Sequence, residues 1–340
     1  MSDWLPPGLP DYAAVLAAAV DRRLGLGVEG DAAYWLELPR RLGAAGVPAE
    51  PVRWGDGALC VDLGPDDAET WERFALVHRN EPDPEAVAVA AQEWRLAVTP
   101  YRKLPATAAA PVGVAAADTA AAAAPSGRAA VEGRRIVDMT SMWAGPLCTE
   151  LLGRAGACVR KVTSAARPDG LAGTPMYAEL NAHKATVEID SRHPAGRREL
   201  EDLLGSADLL VTSLSPRALA NLDLLPSQLG AHHSGLRTLA ITAFEADSPE
   251  HHWIAYGSGV HAASGLGWLG DSPQAPAYSY PDPLAGLLAA RVAADQLTGA
   301  LPRHRRVSLA AAVTPLACRA ATGSTNVADL AGAVGRPSRG

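Results

Sequence analysis

The chain has 340 residues, 48% of them hydrophobic and 20% charged, so it can bury a sizeable core and lacks the composition of a disordered protein. Its formal net charge is −7 and it has no run of basic residues, which argues against a nucleic-acid partner but leaves room for one anionic cofactor. The four cysteines lack CxxC spacing, so we expect no zinc site and no other metal.

The N-terminus carries no segment with the basic and apolar parts of a secretion signal. No uncharged apolar run reaches the roughly 18 residues that a membrane helix needs. Cysteines scattered along a long chain are typical of a reducing compartment. We therefore expect a cytoplasmic protein without a membrane partner.

The first part of the chain, residues 1–103, predicts a small α+β domain. Apolar residues at helical spacing indicate helices in PDYAAVLAAAVDRRLGL and in AAYWLELPRRLGAAG, the second with Gly46 near its end. The segment GALCVDLG alternates as a strand does, and DDAETWERFALVHR opens with the acidic first turn of a helix. None of these segments contains an obvious chemical motif.

An Ala- and Pro-rich stretch from Leu104 to Gly133 follows. It lacks the large apolar side chains needed to fold alone, so we interpret residues 104–133 as a linker, although the alanine content also permits partial helix. The remaining residues, 134–340, form the second predicted domain.

Strands and helices alternate after the linker. We predict strands in RRIVDMT, CVRKVT, ATVEID, DLLVTS and LRTLAITAF, and helices in GPLCTELLGRAG and HPAGRRELEDLLGSA. Short connections between such elements indicate a Rossmann-like α/β fold, a parallel sheet with helices on both faces. Ligands of such sheets lie beyond the carboxyl ends of the strands, which places the loops after Met139, Val162, Val211 and Phe244 on the ligand side.

Two cations near strand ends are candidates for binding a phosphorylated cofactor. Arg167 follows the second strand of this domain, and Lys184 lies next to ATVEID. Each cation alone is more often a solvated surface charge, but we expect both at the ligand end of adjacent strands, where phosphates would need them. By contrast, His261 lies among small residues, and we expect it to be packed rather than catalytic.

Asp282 lies between Pro281 and Pro283 at the start of an apolar segment. Aspartate is a favoured N-cap, and proline suits the first helical position. We therefore predict a helix that begins at Pro283 and has Asp282 as its cap.

Five segments, taken in order, resemble the family III coenzyme A transferases, the group of formyl-CoA, carnitine and bile-acid CoA-transferases and 2-methylacyl-CoA racemases. They lie between about Arg134 and Leu316: IVDMTSMWAGPLCTELLGRAGACVRKV, AELNAHKATVEIDSRHPAGRREL, ADLLVTSLSPRAL, YGSGVHAASGL and PDPLAGLLAARVAADQL. Their order and spacing carry the resemblance, since no single motif is decisive.

The resemblance implies an enzyme of acyl-CoA chemistry. In the family's transferases an aspartate at the position of Asp282 attacks the thioester, giving an acyl-aspartyl anhydride and then an aspartyl-CoA thioester. We expect the helix N-terminus to keep this carboxylate ionised at neutral pH. By position, Met142, Arg167, Lys184 and Leu214 resemble the residues that contact coenzyme A, with the two cations on the phosphates and Leu214 near the adenine.

The chain also departs from the family pattern. It has VTSLSPR where members often carry ENFRPG, and Tyr256 stands where the racemases have a histidine, so we do not expect a racemase of the usual type. The N-terminal segment YWLELPRRLGAAGVPAEPV resembles part of the family's small domain. Family chains usually continue with a second domain where this chain stops at Gly340, so we expect a shortened or rearranged family member with its small domain moved to the front.

The leading prediction is transfer of CoA from an acyl-CoA thioester to a carboxylic acid, with Asp282 as nucleophile. Two alternatives stay open: a dehydratase, lyase or cyclase that uses Asp282 as a base, and a non-catalytic subunit that completes its site with a related chain. The family's interlocked dimers imply a homodimer, or a heteromer with a related chain.

Overall fold

The structure, a computed structural model, describes residues 4–27, 32–42, 50–64, 66–104 and 127–323. The helices in these ranges are α1 (Leu9–Leu24), α2 (Ala32–Leu42), α3 (Ala68–His78), α4 (Pro84–Glu93), α5 (Ala144–Arg154), α6 (Pro175–Glu179), α7 (Pro194–Gly205), α8 (Pro216–Asn221), α9 (Pro226–His232), α10 (Gly257–Ala263), α11 (Pro281–Leu297) and α12 (Leu309–Thr322). The strands are β1 (Val52–Trp54), β2 (Gly57–Val61), β3 (Val98–Pro100), β4 (Arg135–Met139), β5 (Cys158–Thr163), β6 (Lys184–Glu188), β7 (Leu209–Thr212), β8 (Arg237–Thr242) and β9 (His304–Ser308).

Six strands form one parallel sheet in the order β6-β5-β4-β7-β8-β9. Strand β4 lies in the middle, where Ile136 pairs with Val159 on one side and Leu209 on the other. The strand order reverses there, so the loops after β4 and β7 flank a crevice at the carboxyl edge of the sheet. This confirms the predicted Rossmann-like fold, with β9 as a strand that the sequence pattern did not predict.

Helices cover both faces of this sheet. On one face, α7, α8 and α9 bury a compact set of leucines against β4 and β7. On the other face, α5, α11 and α12 form the larger apolar core. Helix α11 is at the centre of this layer, because it packs against α1, α5, α12 and strand β8.

The small antiparallel sheet has the order β1-β2-β3. Helices α3 and α4 cover one face, with Phe74 and Val87 buried against Leu59 and Val98. The other face packs on α10, where Ala262 is buried with Ala58 and Cys60 of β2 and with Tyr101, which follows β3. The predicted strand β2 and helix α3 are confirmed, whereas β1, β3 and α4 were not predicted.

Helices α1 and α2 pack away from the small sheet. Leu9, Leu16 and Val20 of α1 are fully buried in the same apolar core as Leu284 and Leu288 of α11. Both helices were predicted, but the position of Gly46 lies outside the described residues. The first hundred residues thus contribute to three different apolar clusters, and the division into 1–103 and 134–340 stays a prediction.

Most of the predicted linker, residues 105–126, lies outside the described residues. Its last part includes a 3₁₀ turn at Arg128–Ala130, and Ala130 and Val131 are buried in the core that contains α1. Of the helices in the described ranges, none combines the length and the hydrophobicity that a membrane crossing requires.

Limited proteolysis should cut within residues 105–126, because their composition of mostly alanine lacks the large apolar side chains that would anchor a fold. We expect the two fragments to elute together in size-exclusion chromatography, because α1 is buried against α11. Leu16→Asp should release the N-terminal fragment after cleavage, since it places an unpaired charge in that contact. Leu76→Asp, at a side chain that is 65% exposed on α3, is the matched control. Fragments that separate without any substitution would contradict the shared core.

Candidate active site

The loop between β4 and α5, residues 140–143, is held in a strained conformation at the carboxyl edge of the sheet and is called the Met142 loop below. Met142 has a left-handed backbone with φ 67°, which is uncommon for a residue with a side chain. Its N–H donates to both carboxylate oxygens of Asp169, at 3.1 and 3.3 Å. Such strain persists only where neighbours hold the backbone in place, and it is concentrated at ligand-binding sites.

Lys161 and Asp169 connect this loop to the loop after β5. The Lys161 ammonium is buried, donates to the carbonyl oxygen of Thr140 at 2.9 Å and lies 3.6 Å from Asp169 Oδ2. Asp169 also accepts a hydrogen bond from the N–H of Leu171 at 3.0 Å. Local sequence patterns did not indicate this pair, because a strand residue and a loop residue are brought together only by the fold.

Three of the predicted CoA-contacting residues lie at the carboxyl edge. They are Met142 after β4, Arg167 after β5 and Leu214 after β7. Arg167 is exposed in its turn, while Leu214 is half-buried against the apolar layer of α7–α9. The N–H of Ser141 donates to Ser213 Oγ at 3.1 Å and so joins the loops after β4 and β7.

The predicted position of Lys184 at the ligand end of its strand is wrong. Lys184 is the first residue of β6 and pairs with Val159 near the start of β5, so its backbone lies towards the amino edge of the sheet. Its fully buried ammonium donates to Asp138 Oδ2, to the carbonyl oxygen of Pro146 and to Asn181 Oδ1, at 2.9–3.0 Å. A role of Lys184 in binding CoA phosphates stays a prediction, and these contacts show a structural one.

Asp138 is the buried partner of Lys184. Burial by itself raises the pKa of Asp138, but the charges of Lys184 and Lys161 and the hydroxyls of Thr140 and Thr149 outweigh it and lower that pKa to about 2. The carboxylate is therefore ionised at neutral pH. It fixes the end of β4 against the first turns of α5, directly beneath the Met142 loop.

The predicted cap role of Asp282 is wrong, because α11 begins at Pro281 and its N-cap is Tyr280. Asp282 is the second helical residue. Within α11, which the structure describes completely, every residue except Asp282 is buried. Asp282, the residue that the sequence singled out, is half-buried.

The Asp282 carboxylate is held by two neighbours. Ser279 Oγ donates to Asp282 Oδ2 at 2.6 Å, and the N–H of Gly257 at the start of α10 donates to the same carboxylate. The contact is so close that a methyl group on Gly257 would overlap the carboxylate.

Asp282 is not fully ionised at neutral pH, contrary to the expectation from the helix N-terminus. Burial raises the pKa of Asp282 to about 7, and the hydrogen bond from Ser279 offsets this only in part. The helix terminus does not compensate for the loss of solvation. Near pH 7 some protein molecules therefore hold Asp282 protonated and others hold it ionised.

The packing of α11 on α5 brings Asp282 towards the Met142 loop. Gly286, one turn after Asp282, lies so close to the first turn of α5 that a Cβ there would be 2.8 Å from the carbonyl oxygen of Ala144. The starts of the two helices therefore meet at the carboxyl edge of the sheet. Asp282 and the candidate CoA-contacting loops share this edge.

His261 is a packed residue, as expected. Its Nδ1 hydrogen-bonds with the Tyr280 hydroxyl at 3.0 Å and its Nε2 with the carbonyl oxygen of Gln274 at 2.9 Å. Burial lowers the pKa of His261 to about 4, so the ring is neutral at pH 7. In the described ranges, no three histidine, cysteine or acidic side chains come together as a metal site would require.

A cavity of about 400 Å³ lies on the face of the large sheet that is opposite to α11. Its walls come from β7, β8 and β9 and from α8 and the start of α9, including Leu210, Leu219 and Arg305. Leu210 and Leu219 belong to the apolar layer that faces away from α11. The cavity is therefore separate from the site around Asp282.

The raised pKa of Asp282 predicts how stability depends on pH. An unfolded aspartate releases its proton near pH 3.8, whereas the folded protein holds the proton until about pH 7. The contribution of this group to the free energy of unfolding is therefore greatest at low pH, falls between about pH 4 and 7, and then stays level. Asp282→Asn cannot ionise, so its melting temperature relative to the parent should rise across this range. Asp271→Asn, at an exposed aspartate, is the control, and a difference that does not change with pH would contradict the shift.

Known proteins similar to this chain include several CoA-transferases. A succinyl-CoA–L-malate CoA-transferase beta subunit of Chloroflexus aurantiacus is 27% identical over 151 residues, covering 42% of this chain and 37% of the relative. An (R)-2-hydroxy-4-methylpentanoate CoA-transferase of Clostridioides difficile is 28% identical over 175 residues, covering 46% of this chain and 44% of the relative. A formyl-CoA:oxalate CoA-transferase of a Bradyrhizobium strain is 33% identical over 99 residues, covering 26% and 23%. The chain spans less than half the length of each of these relatives.

A crystal structure of a hypothetical protein from Mycobacterium tuberculosis shares the fold, with a TM-score of 0.50 and 23% identity over 54% of this chain and 55% of that one. The family model of CoA-transferase family III matches residues 131–306, just over half of the chain. This range contains five strands of the six-stranded sheet, the start of β9, most of the helices that cover the sheet and Asp282. The chain therefore belongs to CoA-transferase family III.

Proposed function

We propose that this protein transfers CoA from an acyl-CoA thioester to a carboxylic acid, with Asp282 as the nucleophile. One observation carries the proposal: α11 buries all of its residues except Asp282, at the edge of the sheet where ligands of this fold bind. The similar proteins support the reaction class, since their names give CoA-transferases acting on malate, oxalate and a hydroxy acid.

The proposed reaction begins with attack of the Asp282 carboxylate on the thioester carbonyl, which forms an acyl-aspartyl anhydride and releases the CoA thiolate. The thiolate then attacks the aspartyl carbonyl, giving an aspartyl-CoA thioester and the first free carboxylate. An incoming carboxylate attacks this thioester and releases the thiolate again. Attack of the thiolate on the new acyl group yields the product thioester and restores Asp282.

The neighbours of Asp282 orient its attack. The hydroxyl of Ser279 and the N–H of Gly257 hold the carboxylate, which keeps one geometry before the substrate arrives. Only the ionised form attacks, and with a pKa of about 7 roughly half of the molecules hold it at neutral pH. The initial rate should therefore rise through pH 7.

Coenzyme A would lie along the carboxyl edge. The exposed guanidinium of Arg167 suits a phosphate, and the Met142 loop lets backbone approach the ligand. Leu214 offers an apolar surface for the adenine. In this proposal Lys184 contributes chiefly through Asp138, by fixing the end of β4 beneath the Met142 loop.

One observation favours a second candidate. A half-buried carboxyl with a pKa of about 7 is also suited to general-base catalysis, as a dehydratase, lyase or cyclase would need. A third proposal, a subunit that acts together with a related chain, is supported by the beta-subunit name of the Chloroflexus relative. Covalent trapping separates the first two, and activity gained with a co-purified chain would support the third.

Asp282→Asn should abolish CoA transfer while the protein stays folded, because a neutral amide cannot attack a thioester. In the parent, incubation with a suitable acyl-CoA should leave a CoA adduct on the peptide that contains Asp282, measured by mass spectrometry. The Asn variant is the control for adducts on other residues. Full activity in that variant would exclude Asp282 as the nucleophile. Turnover in the parent without any trapped adduct would favour Asp282 as a general base.

Arg167→Ala and Lys184→Met should behave differently. Arg167→Ala should weaken CoA binding by about 1.5–3 kcal/mol in calorimetry and leave the melting temperature unchanged, since it removes one charge-assisted contact from an exposed side chain.

Lys184→Met should lower the free energy of unfolding by about 3–5 kcal/mol, because it leaves Asp138 buried without its partner. Unchanged CoA affinity in Arg167→Ala would remove Arg167 from the site, and unchanged stability in Lys184→Met would contradict the structural role.

A further inference from the structure

The first two residues of α10 lie between carboxylates from distant parts of the chain. Gly257 donates its N–H to Asp282 of α11. The next residue, Ser258, donates its hydroxyl to Asp62 Oδ2. Asp62 directly follows β2 in the small antiparallel sheet, so the N-terminal part of the chain reaches the candidate active site.

Backbone contacts fix Asp62 in this place. The N–H of Asp62 donates to the carbonyl oxygen of Ala97 at 2.9 Å, which continues the pairing of β2 with β3. The small sheet in turn docks on α10: Thr99 Oγ1 donates to the carbonyl oxygen of Gly259 at 3.1 Å, and the N–H of Arg102 to that of Ala262 at 3.1 Å. The position of Asp62 relative to Ser258 therefore follows from the docking of the whole sheet.

We propose that Asp62 is a positioning residue for the reaction of Asp282, a second carboxylate that Ser258 holds beside the nucleophile and that controls its charge. This inference rests on the proposed function of Asp282. It goes further by giving the small N-terminal sheet a role in the active site.

The electrostatics of the pair support this role. After burial, which is the main reason for the raised pKa of Asp282, Asp62 has the largest effect of any charged neighbour and raises that pKa further. Burial also raises the pKa of Asp62, against the opposing hydrogen bond from Ser258. Two neighbouring carboxyls in a poorly solvated place do not ionise independently, so removal of one charge should make the other group a stronger acid.

Five other titratable groups around the pair stay neutral near pH 7. Burial raises the pKa values of Cys60, Tyr101, Tyr256 and Tyr280, and it lowers the pKa of His261. Two further acids lie near these groups. The charge of Glu50 raises the pKa of Tyr101, and the charge of Asp67 raises the pKa of Tyr256. Asp62 is thus the charged neighbour whose replacement should affect Asp282 most.

Asp62→Asn tests the proposal, because asparagine keeps an acceptor for Ser258 and removes the charge. The titration of Asp282 is measured by carbon NMR of aspartate-labelled protein, with the Asp282→Asn spectrum for assignment. We expect the titration midpoint of Asp282 to move to lower pH, and the acidic limb of the initial-rate profile to move with it. Ser258→Ala, which frees the Asp62 carboxylate, should change the midpoint as well. Asp66→Asn, an exposed aspartate in the same loop, is the matched control.

The two readouts separate this inference from the proposed function. An unchanged midpoint in Asp62→Asn overturns the coupling, whether or not the enzyme transfers CoA. A lower midpoint with an unmoved rate profile overturns the role of Asp62 in catalysis. A parent protein without CoA transfer contradicts the proposed function, and the NMR titration still decides whether the two carboxylates are coupled. A shift of both readouts, absent in Asp66→Asn, supports the proposal.

Discussion

The burial of α11 determines where the carboxylate of Asp282 lies in the fold. Its sequence is rich in alanine and leucine, and it packs against α1, α5 and α12 with every residue except Asp282 buried. Close approach at Gly286 sets its position along α5 and thereby aligns the starts of the two helices. A larger residue at Gly286 would push the helices apart and move Asp282 away from the Met142 loop. The geometry of the candidate site thus depends on apolar packing several residues away from Asp282.

A second layer of constraint comes from buried charges beneath the loops. Asp138 and Lys184 hold the end of β4, while Lys161 and Asp169 hold the left-handed backbone at Met142. Buried ion pairs of this kind add little net stability compared with apolar packing, but breaking one is costly. They specify one loop conformation, and a ligand that must be contacted by several loops benefits from that rigidity.

The sequence predicted the large sheet because its strands are apolar runs bounded by turn residues, and the resemblance singled out Asp282. The same reasoning misplaced Lys184, since a residue that opens a parallel strand lies at the amino edge and not at the ligand edge. It also misjudged the ionisation of Asp282, because the neighbours that bury this side chain come from distant segments. The contact between Asp62 and Ser258 spans 196 residues of sequence, and neither local periodicity nor a motif could indicate it. What the sequence lacked was the docking of the small sheet on α10.

That docking has a reciprocal consequence. If the docked sheet makes Asp282 hold its proton more tightly through Asp62, then thermodynamic linkage requires that a neutral Asp282 strengthens docking and an ionised one weakens it. In the proposed reaction, acylation would remove the negative charge of Asp282 just as protonation does. The small sheet should therefore bind more tightly to the acylated enzyme than to the free, ionised enzyme. The docking of the small sheet on α10 would thus tighten during the lifetime of the proposed intermediate and loosen when the free carboxylate returns.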